Sequence, residues 1–300
     1  MQEKIKPFVK WAGGKGSLLP QLNNYYPYEL RNGIIERYIE PFVGGGAVLI
    51  DILQNYKVQE AYAFDINVDL INSYNVIKNK VDDLIKVLNS MQTEYLQLEQ
   101  EKRKDFFYNI RIVYNDYQLQ EHEENIQRAA QFIFLNRTCF NGLYRVNKKG
   151  KFNVPMGNYS NPTICDEGNL RSLSKLIQNV EFIYGDYRKS SAYITENSFV
   201  YFDPPYRPLN TTSAFTSYTK EDFNDDNQRE LATYYRELNN RNVKLMLSNS
   251  NPKNINEEDT FFDNIYQGFN IDEIYASRMI NSNSSGRGKI TEILVTNYNV

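Results

Sequence analysis

From Ala47 to Asn141 the chain contains neither glycine nor proline. Average usage would place about eleven in a stretch of that length. A chain without these two residues has few sites for a tight turn, so this part must run largely as long helices. Within it, Val81 to Asn136 carries helical patterning, as in Val81, Leu84, Ile85, Val87 and Leu88. The flanking parts read as strands that alternate with helices. The strands are Ile34–Glu40, Glu60–Asp65, Val180–Tyr184, Phe199–Phe202 and Val243–Leu247, and helices are expected over Ala47–Asn55, after Asp65, and from about Lys220 to Asn240. Ile271–Ser277 and Thr291–Asn297 read as an antiparallel pair around a polar loop. This alternation predicts a mostly parallel sheet interrupted by the helical middle. The expected organisation is a discontinuous α/β domain, residues 1–75 and 166–300, with an inserted, mainly helical domain at 76–165.

Several classes of protein are excluded early. No apolar run approaches the roughly 18 residues of a membrane helix, and no apolar stretch follows the charges of the first six residues, as a signal peptide would require. Cys139 and Cys165 cannot build a disulfide framework, and with His122 as the one histidine there are too few ligands for structural zinc. A Ser-His-Asp hydrolase would have to use His122, which lies in a charged helical stretch and reads as a solvated surface side chain. A soluble protein of a reducing, cytoplasmic compartment is expected, with no metal.

The net charge is −3, but its distribution is uneven. No acidic residue occurs from Asn125 to Ile164, a stretch holding Arg128, Arg137, Arg145, Lys148, Lys149 and Lys151. A second acid-free stretch, Ile274 to Thr291, holds Arg278, Arg287 and Lys289. Two basic islands in an acidic chain suit a polyanion held at a defined place.

Pro41-Phe42-Val43-Gly44-Gly45-Gly46 joins the first strand to a helix, and Asp65 ends the next strand 19 residues after Gly46. Glycines there let backbone approach a ligand, and a carboxylate at that strand end can accept from ribose hydroxyls. G-x-G-x-x-G is absent and no Walker lysine follows, so a P-loop is excluded. The remaining ligands are adenosine-bearing cofactors, NAD or S-adenosylmethionine. Asp203-Pro204-Pro205-Tyr206 follows another strand, at the sheet edge where open α/β folds place ligands. The prolines remove two N–H donors, so the Asp203 carboxylate and both carbonyls are expected as acceptors without competing donors. Such a set suits a planar amino group, and Tyr206 offers a flat face for a base taken out of a duplex.

In this order the segments resemble the Dam-type DNA adenine methyltransferases (D12 class, alpha group), including GATC-specific restriction-modification methylases. Phe8-Val9-Lys10-Trp11-Ala12-Gly13-Gly14-Lys15 is similar to the family's N-terminal cofactor motif. Glu40 through Ala47 is similar to its Gly-rich motif, Asp65-Ile66-Asn67 to its ribose-binding acid, and Asp203 through Tyr206 to its catalytic tetrapeptide. Asn136 through Arg145 and Gly150 through Gly157 resemble its DNA-reading hairpin. The resemblance covers nearly the whole chain. It implies a Rossmann-like S-adenosylmethionine-dependent methyltransferase sheet, with a target-recognition insert carrying a β-hairpin.

The resemblance also implies roles. Trp11, Ala12, Gly13 and Lys15 would hold the methionine part of the cofactor, with Lys15 on its carboxylate. Without the resemblance, Trp11 would read as plain core. Pro41, Phe42, Gly44 and Gly46 would line the cofactor pocket, Asp65 and Ile66 would meet the ribose, and Asp186 would accept from the cofactor's adenine amino group. Arg145 would read a guanine edge, the commonest specific arginine contact. Arg137, Lys148, Lys149 and Lys151 would touch phosphates; Asn141, Gly142, Leu143, Asn147 and Pro155 belong to the same reading segment. Ser284 and Arg287 of the polar loop would meet the DNA backbone.

The implied reaction is methyl transfer from S-adenosyl-L-methionine to N6 of an adenine flipped out of duplex DNA, within GATC, leaving S-adenosyl-L-homocysteine. Hydrogen bonds from the amino group to Asp203 and the Pro204 carbonyl would favour a pyramidal, more nucleophilic nitrogen. No thiol nucleophile and no zinc are required, which separates this chemistry from cytosine-ring methylation and from deamination. Competing readings are an adenine methyltransferase with another DNA sequence or an RNA substrate, a non-catalytic nucleic-acid-binding module, and an NAD-dependent dehydrogenase. The last explains neither Asp203–Tyr206 nor the basic segment. A cognate restriction endonuclease, in complex or only in function, is left open.

Overall fold

The structure, a computed structural model, describes residues 4–121, 123–207, 223–276 and 290–300. His122, Ser284, Arg287 and the rest of the polar loop lie outside these. The strands are β1 (Arg37–Glu40), β2 (Glu60–Asp65), β3 (Val180–Tyr184), β4 (Ser198–Phe202), β5 (Lys244–Ser250), β6 (Asn270–Ala276) and β7 (Ile290–Thr296). They form one sheet in the order β3-β2-β1-β4-β5-β7-β6. The first five positions are parallel; β7 runs antiparallel to both β5 and β6. The chain builds outward from β1 to β2 and β3, then returns to the other side of β1 with β4 and β5. The order therefore reverses between β1 and β4, where open α/β sheets leave a crevice at their strand ends.

The helices are α1 (Leu19–Tyr25), α2 (Tyr28–Arg31), α3 (Ala47–Asn55), α4 (Val68–Asn79), α5 (Val81–Gln97), α6 (Gln100–Asp116), α7 (Ile126–Thr138), α8 (Glu167–Leu176), α9 (Asp225–Asn239) and α10 (Phe261–Ile265). β4 is buried along its whole length and sorts its side chains by alternation: Phe199 and Tyr201 enter one core with α3 and α4, while Val200 and Phe202 enter the other with α9. The first core continues without a break into the inserted helices through Leu84, Phe107 and Phe134. α4 runs across residues 75 and 76, so the sheet layer and the inserted helices share that element.

Three expectations need correction. β1 begins at Arg37 rather than Ile34, because the N–H groups of Ile34 and Ile35 bond to the Glu29 carbonyl in the turn after α2. α9 begins at Asp225 rather than near Lys220: Asn224 caps it reciprocally with Asn227, and this box satisfies the orphan N–H groups of the first turn. The inserted hairpin is reduced to single bridges, Val146 with Phe152 and Cys139 with Met156. Asn147 explains the shortness. Its side-chain oxygen accepts the Lys149 and Lys151 N–H groups, closing the turn locally instead of extending a ladder.

Candidate active site

The crevice at the order reversal is a cavity of about 1210 Å³. Asp65, at the end of β2, holds the glycine turn in place. Its Oδ2 accepts the Gly44 N–H at 3.1 Å and its Oδ1 the Asn67 N–H at 2.9 Å. Burial outweighs these bonds and pushes its pKa up to about 6. Gly46 is left-handed at φ 71°, and a Cβ there would stand 2.4 Å from the Tyr74 hydroxyl. A Cβ on Gly44 would stand 2.8 Å from the Trp11 ring. The turn is thus closed to larger residues by side chains packed against its backbone.

Asp203, just past β4, faces Lys15. The ammonium of Lys15 lies 2.8 Å from Asp203 Oδ1 and donates to the Gly13 carbonyl at 2.7 Å. Burial pushes the Asp203 pKa up to about 6, with Lys15 pulling against it. Beneath this pair is Glu40, the last residue of β1, which accepts from the Tyr38 hydroxyl at 2.7 Å. Burial drives the Glu40 pKa well above the ordinary carboxylate range, against that hydrogen bond. Lys15 also lies 4.6 Å from the centroid of the Tyr206 ring, and the Tyr206 hydroxyl donates to Glu292 on β7.

The two prolines do not behave alike. The Pro205 carbonyl accepts from Gln228 Nε2 at 3.0 Å, so the expectation that it has no competing donor is wrong. Gln228 is fully buried on α9, and its Oε1 accepts from Asn249 Nδ2 at 3.1 Å. Asn249 Oδ1 in turn accepts the Arg207 N–H at 3.2 Å. The loop is pinned on both sides of Tyr206 by one buried amide pair.

All the residues expected around the cofactor line this one cavity: Trp11, Ala12, Gly13, Lys15, Pro41, Phe42, Gly44, Gly46, Asp65, Ile66, Asp186 and Asp203, together with Pro204, Pro205 and Tyr206. Lys15, expected on a cofactor carboxylate, reaches the carboxylate of Asp203. Trp11 is not plain core; it is half-buried in the wall, stacked on Tyr144 with centroids 5.6 Å apart. Phe42 stacks on Tyr187 at 5.3 Å. Asp186 is exposed at the rim, where its carboxylate accepts the Arg188 N–H at 3.0 Å.

Of the expected DNA-reading residues, Arg137 lines this cavity. Asn136, buried on α7, accepts the Lys10 N–H at 2.8 Å and donates to the Lys10 and Gly142 carbonyls. It ties the cofactor segment to the reading segment. The Nε and Nη2 of Arg137 donate to the Phe8 carbonyl at 3.1 and 2.7 Å, so this guanidinium braces the N-terminal segment. Asn141 is exposed and left-handed at φ 55°. Leu143 is half-buried; Asn147, Lys148, Lys149, Lys151 and Pro155 are exposed. Arg145 donates through Nε to Asn153 at 2.8 Å.

Four polar side chains of the site escaped the sequence reading as site residues: Glu40, Gln228, Asn249 and Glu292. Glu40 had a signal, since it opens the Gly-rich segment. The other three come from α9, β5 and β7, and no spacing relates them to Asp203.

A family model described as D12 class N6 adenine-specific DNA methyltransferase matches residues 11–280. The chain belongs to this family. The fold is the Rossmann-like methyltransferase arrangement expected of a member. Among its relatives, a "Type II methyltransferase M.MjaIII" from Methanocaldococcus jannaschii is 52% identical over 98% of this chain and 100% of its own length. Two proteins named "DNA adenine methylase" are also similar. The one from Vibrio cholerae is 33% identical over 97% of this chain and 96% of its own. The one from Escherichia coli is 32% identical over 97% and 95%. For a D12 adenine-specific DNA methyltransferase the cavity holds the motifs that matter. The glycine turn and Asp65 share its lining with Asp203–Tyr206, and Lys15 meets the Asp203 carboxylate. Among the described residues no helix is long and apolar enough to cross a membrane.

Proposed function

We propose that this protein transfers a methyl group from S-adenosyl-L-methionine to N6 of an adenine within GATC, turned out of duplex DNA, in the cytoplasm. The observation that carries this is the meeting, in one cavity, of the glycine turn with Asp65 and the Asp203–Tyr206 loop, walled by Tyr144 and Gly150 of the basic insert. The cavity fits an adenosine-bearing cofactor on its own chemistry. Gly44 and Gly46 line it, and Asp65 keeps acceptor capacity for ribose hydroxyls beside its backbone N–H bonds. When bound, S-adenosylmethionine supplies a methyl group already activated on a sulfonium.

The protein's own residues supply position and charge. Asp203 accepts a hydrogen bond from the adenine amino group, more strongly as the carboxylate, and Lys15 favours that form. The Pro204 carbonyl is the second acceptor, since Pro205 is engaged by Gln228. Two acceptors on one amino group draw its lone pair out of conjugation with the ring. Tyr206 supplies the stacking face. Residues 76–165 act as the target-recognition unit and the rest as the catalytic unit. The choice of GATC rests on the likeness of Asn136–Arg145 and Gly150–Gly157 to the reading segment of the Dam-type enzymes.

The test is methyl transfer from labelled S-adenosylmethionine to two duplexes, one with GATC and one with that site scrambled, with Asp203→Ala as control. Label on the GATC adenine alone, lost in the variant, is expected. Label on both duplexes keeps the chemistry and removes the site assignment. Label on neither, with cofactor bound, removes the activity on DNA.

A further inference from the structure

Tyr206 is held in three ways. Its backbone is pinned through Pro205 and Gln228, one ring face meets Lys15, and its hydroxyl donates to Glu292. The first two act on the backbone and on one ring face; among the described residues, the hydrogen bond that holds the hydroxyl end of the ring is the one to Glu292. Glu292 is well placed to do so. β7 is an interior strand, with Glu292 opposite Ser250 of β5 and Ile274 of β6, so its backbone is braced from both sides.

We propose that Glu292 is a positioning residue for the target base: it fixes the plane of the Tyr206 ring on which the extruded adenine stacks. This deepens the reading of Asp203–Tyr206 as the base-handling loop and rests on it. A ring already in its working plane does not have to be ordered when the base arrives, so the bond acts on the chemical step and on base extrusion. Among the described residues Glu292 is not in the cavity lining that holds the glycine turn, so cofactor binding is expected to be unaffected. Glu292 also lies near enough to Asp203 to repel its charge. The experiment must therefore separate the two routes.

The experiment is a mutant cycle on single-turnover methylation of the duplex that the wild-type protein methylates fastest. Base extrusion is followed by the fluorescence of 2-aminopurine at the target position. Glu292→Ala is expected to slow transfer roughly tenfold, the worth of one hydrogen bond to a charged group, and to lower the fluorescence rise. KM for S-adenosylmethionine should stay within about twofold. Glu292→Gln keeps an acceptor and should retain most of the rate. Tyr206→Phe should lose as much as Glu292→Ala, and adding Glu292→Ala to it should cost nothing further. A full-rate Glu292→Ala overturns the proposal. So does an equal penalty in both backgrounds, which would assign the effect to the charge on Asp203. Should Glu292→Ala fail to fold, Tyr206→Phe decides: undiminished transfer overturns the proposal. A wild-type protein inactive on every adenine duplex overturns both this inference and the function it rests on; failure at Glu292 alone leaves that function standing.

Discussion

Lys15 and Asp203 are far apart in the sequence and meet at 2.8 Å where the sheet order reverses. The lysine is buried, and the carboxylate keeps 21% of its side-chain surface open to the cavity. The pair is therefore asymmetric. Lys15 is enclosed by protein, and Asp203 presents its remaining lone pairs to whatever enters. The pKa of about 6 for Asp203 is the balance of burial against that ammonium.

This balance predicts the pH profile. Ionised Asp203 is the stronger acceptor, so single-turnover transfer should be full above about pH 6 and fall as pH drops through that value. Stability should move the other way. A carboxyl raised from its ordinary 3.8 to about 6 costs the folded state once ionised, so wild type should gain on Asp203→Asn as pH falls from about 6 to about 4. Lys15→Met removes the opposing charge and should shift the acid limb of the rate profile upward. Rate–pH curves for wild type and Lys15→Met check this; an unmoved limb would remove Lys15 from the ionisation of Asp203.

Gln228 predicts a second effect at a distance from the chemistry. It is fully buried and joins the Pro205 carbonyl to Asn249. Gln228→Met keeps the volume and deletes both hydrogen bonds. It should destabilise by about 1–3 kcal/mol, the range for stranding buried polar partners, and slow methyl transfer without changing cofactor affinity. Urea unfolding and single-turnover rates test the two halves separately.

What the sequence disclosed follows from contiguity. The glycine turn, Asp65 and Asp203–Tyr206 are each short runs at strand ends, and their chemistry is written in adjacent residues. The parallel sheet was legible because buried strands are apolar runs bounded by Gly, Asp and Pro. Gln228, Asn249 and Glu292 were invisible because α9, β5 and β7 bring them together only once the sheet has formed. The hairpin, expected from the family resemblance, is short because Asn147 uses its side chain to close the turn. Lys15 was read as a cofactor ligand from its motif, and its contact with Asp203 depends on a pairing across nearly the whole sheet domain.

Gly46 gives a prediction with a built-in decomposition. Gly46→Ala meets two obstacles, a left-handed φ of 71° and a Cβ 2.4 Å from the Tyr74 hydroxyl. The first costs about 1–2 kcal/mol for a non-glycine residue. Tyr74→Phe removes the hydroxyl, which otherwise donates to the Gly44 carbonyl at 3.0 Å. In the Tyr74→Phe background, Gly46→Ala should cost only the backbone strain. Thermal unfolding of the four proteins tests this; equal costs in both backgrounds would mean that Tyr74 gives way freely.

Arg145 is the residue of the basic insert at which base reading is tested. Its Nε bond to Asn153 uses one of the five guanidinium donors and fixes the side chain on the short bridged turn. The terminal nitrogens lie outside that bond, and a bidentate contact to guanine O6 and N7 requires two donors in a fixed plane. Arg145→Ala should therefore relax discrimination at one guanine by about 1–3 kcal/mol while leaving the rate on already mismatched sites nearly unchanged. Asn153→Ala, which frees the guanidinium to rotate, should give a smaller loss at the same base pair. Comparing kcat/KM on duplexes substituted at each position locates the effect. An equal loss on all sequences, with a shallower salt dependence, would make Arg145 a phosphate contact and move base reading to another residue of the insert.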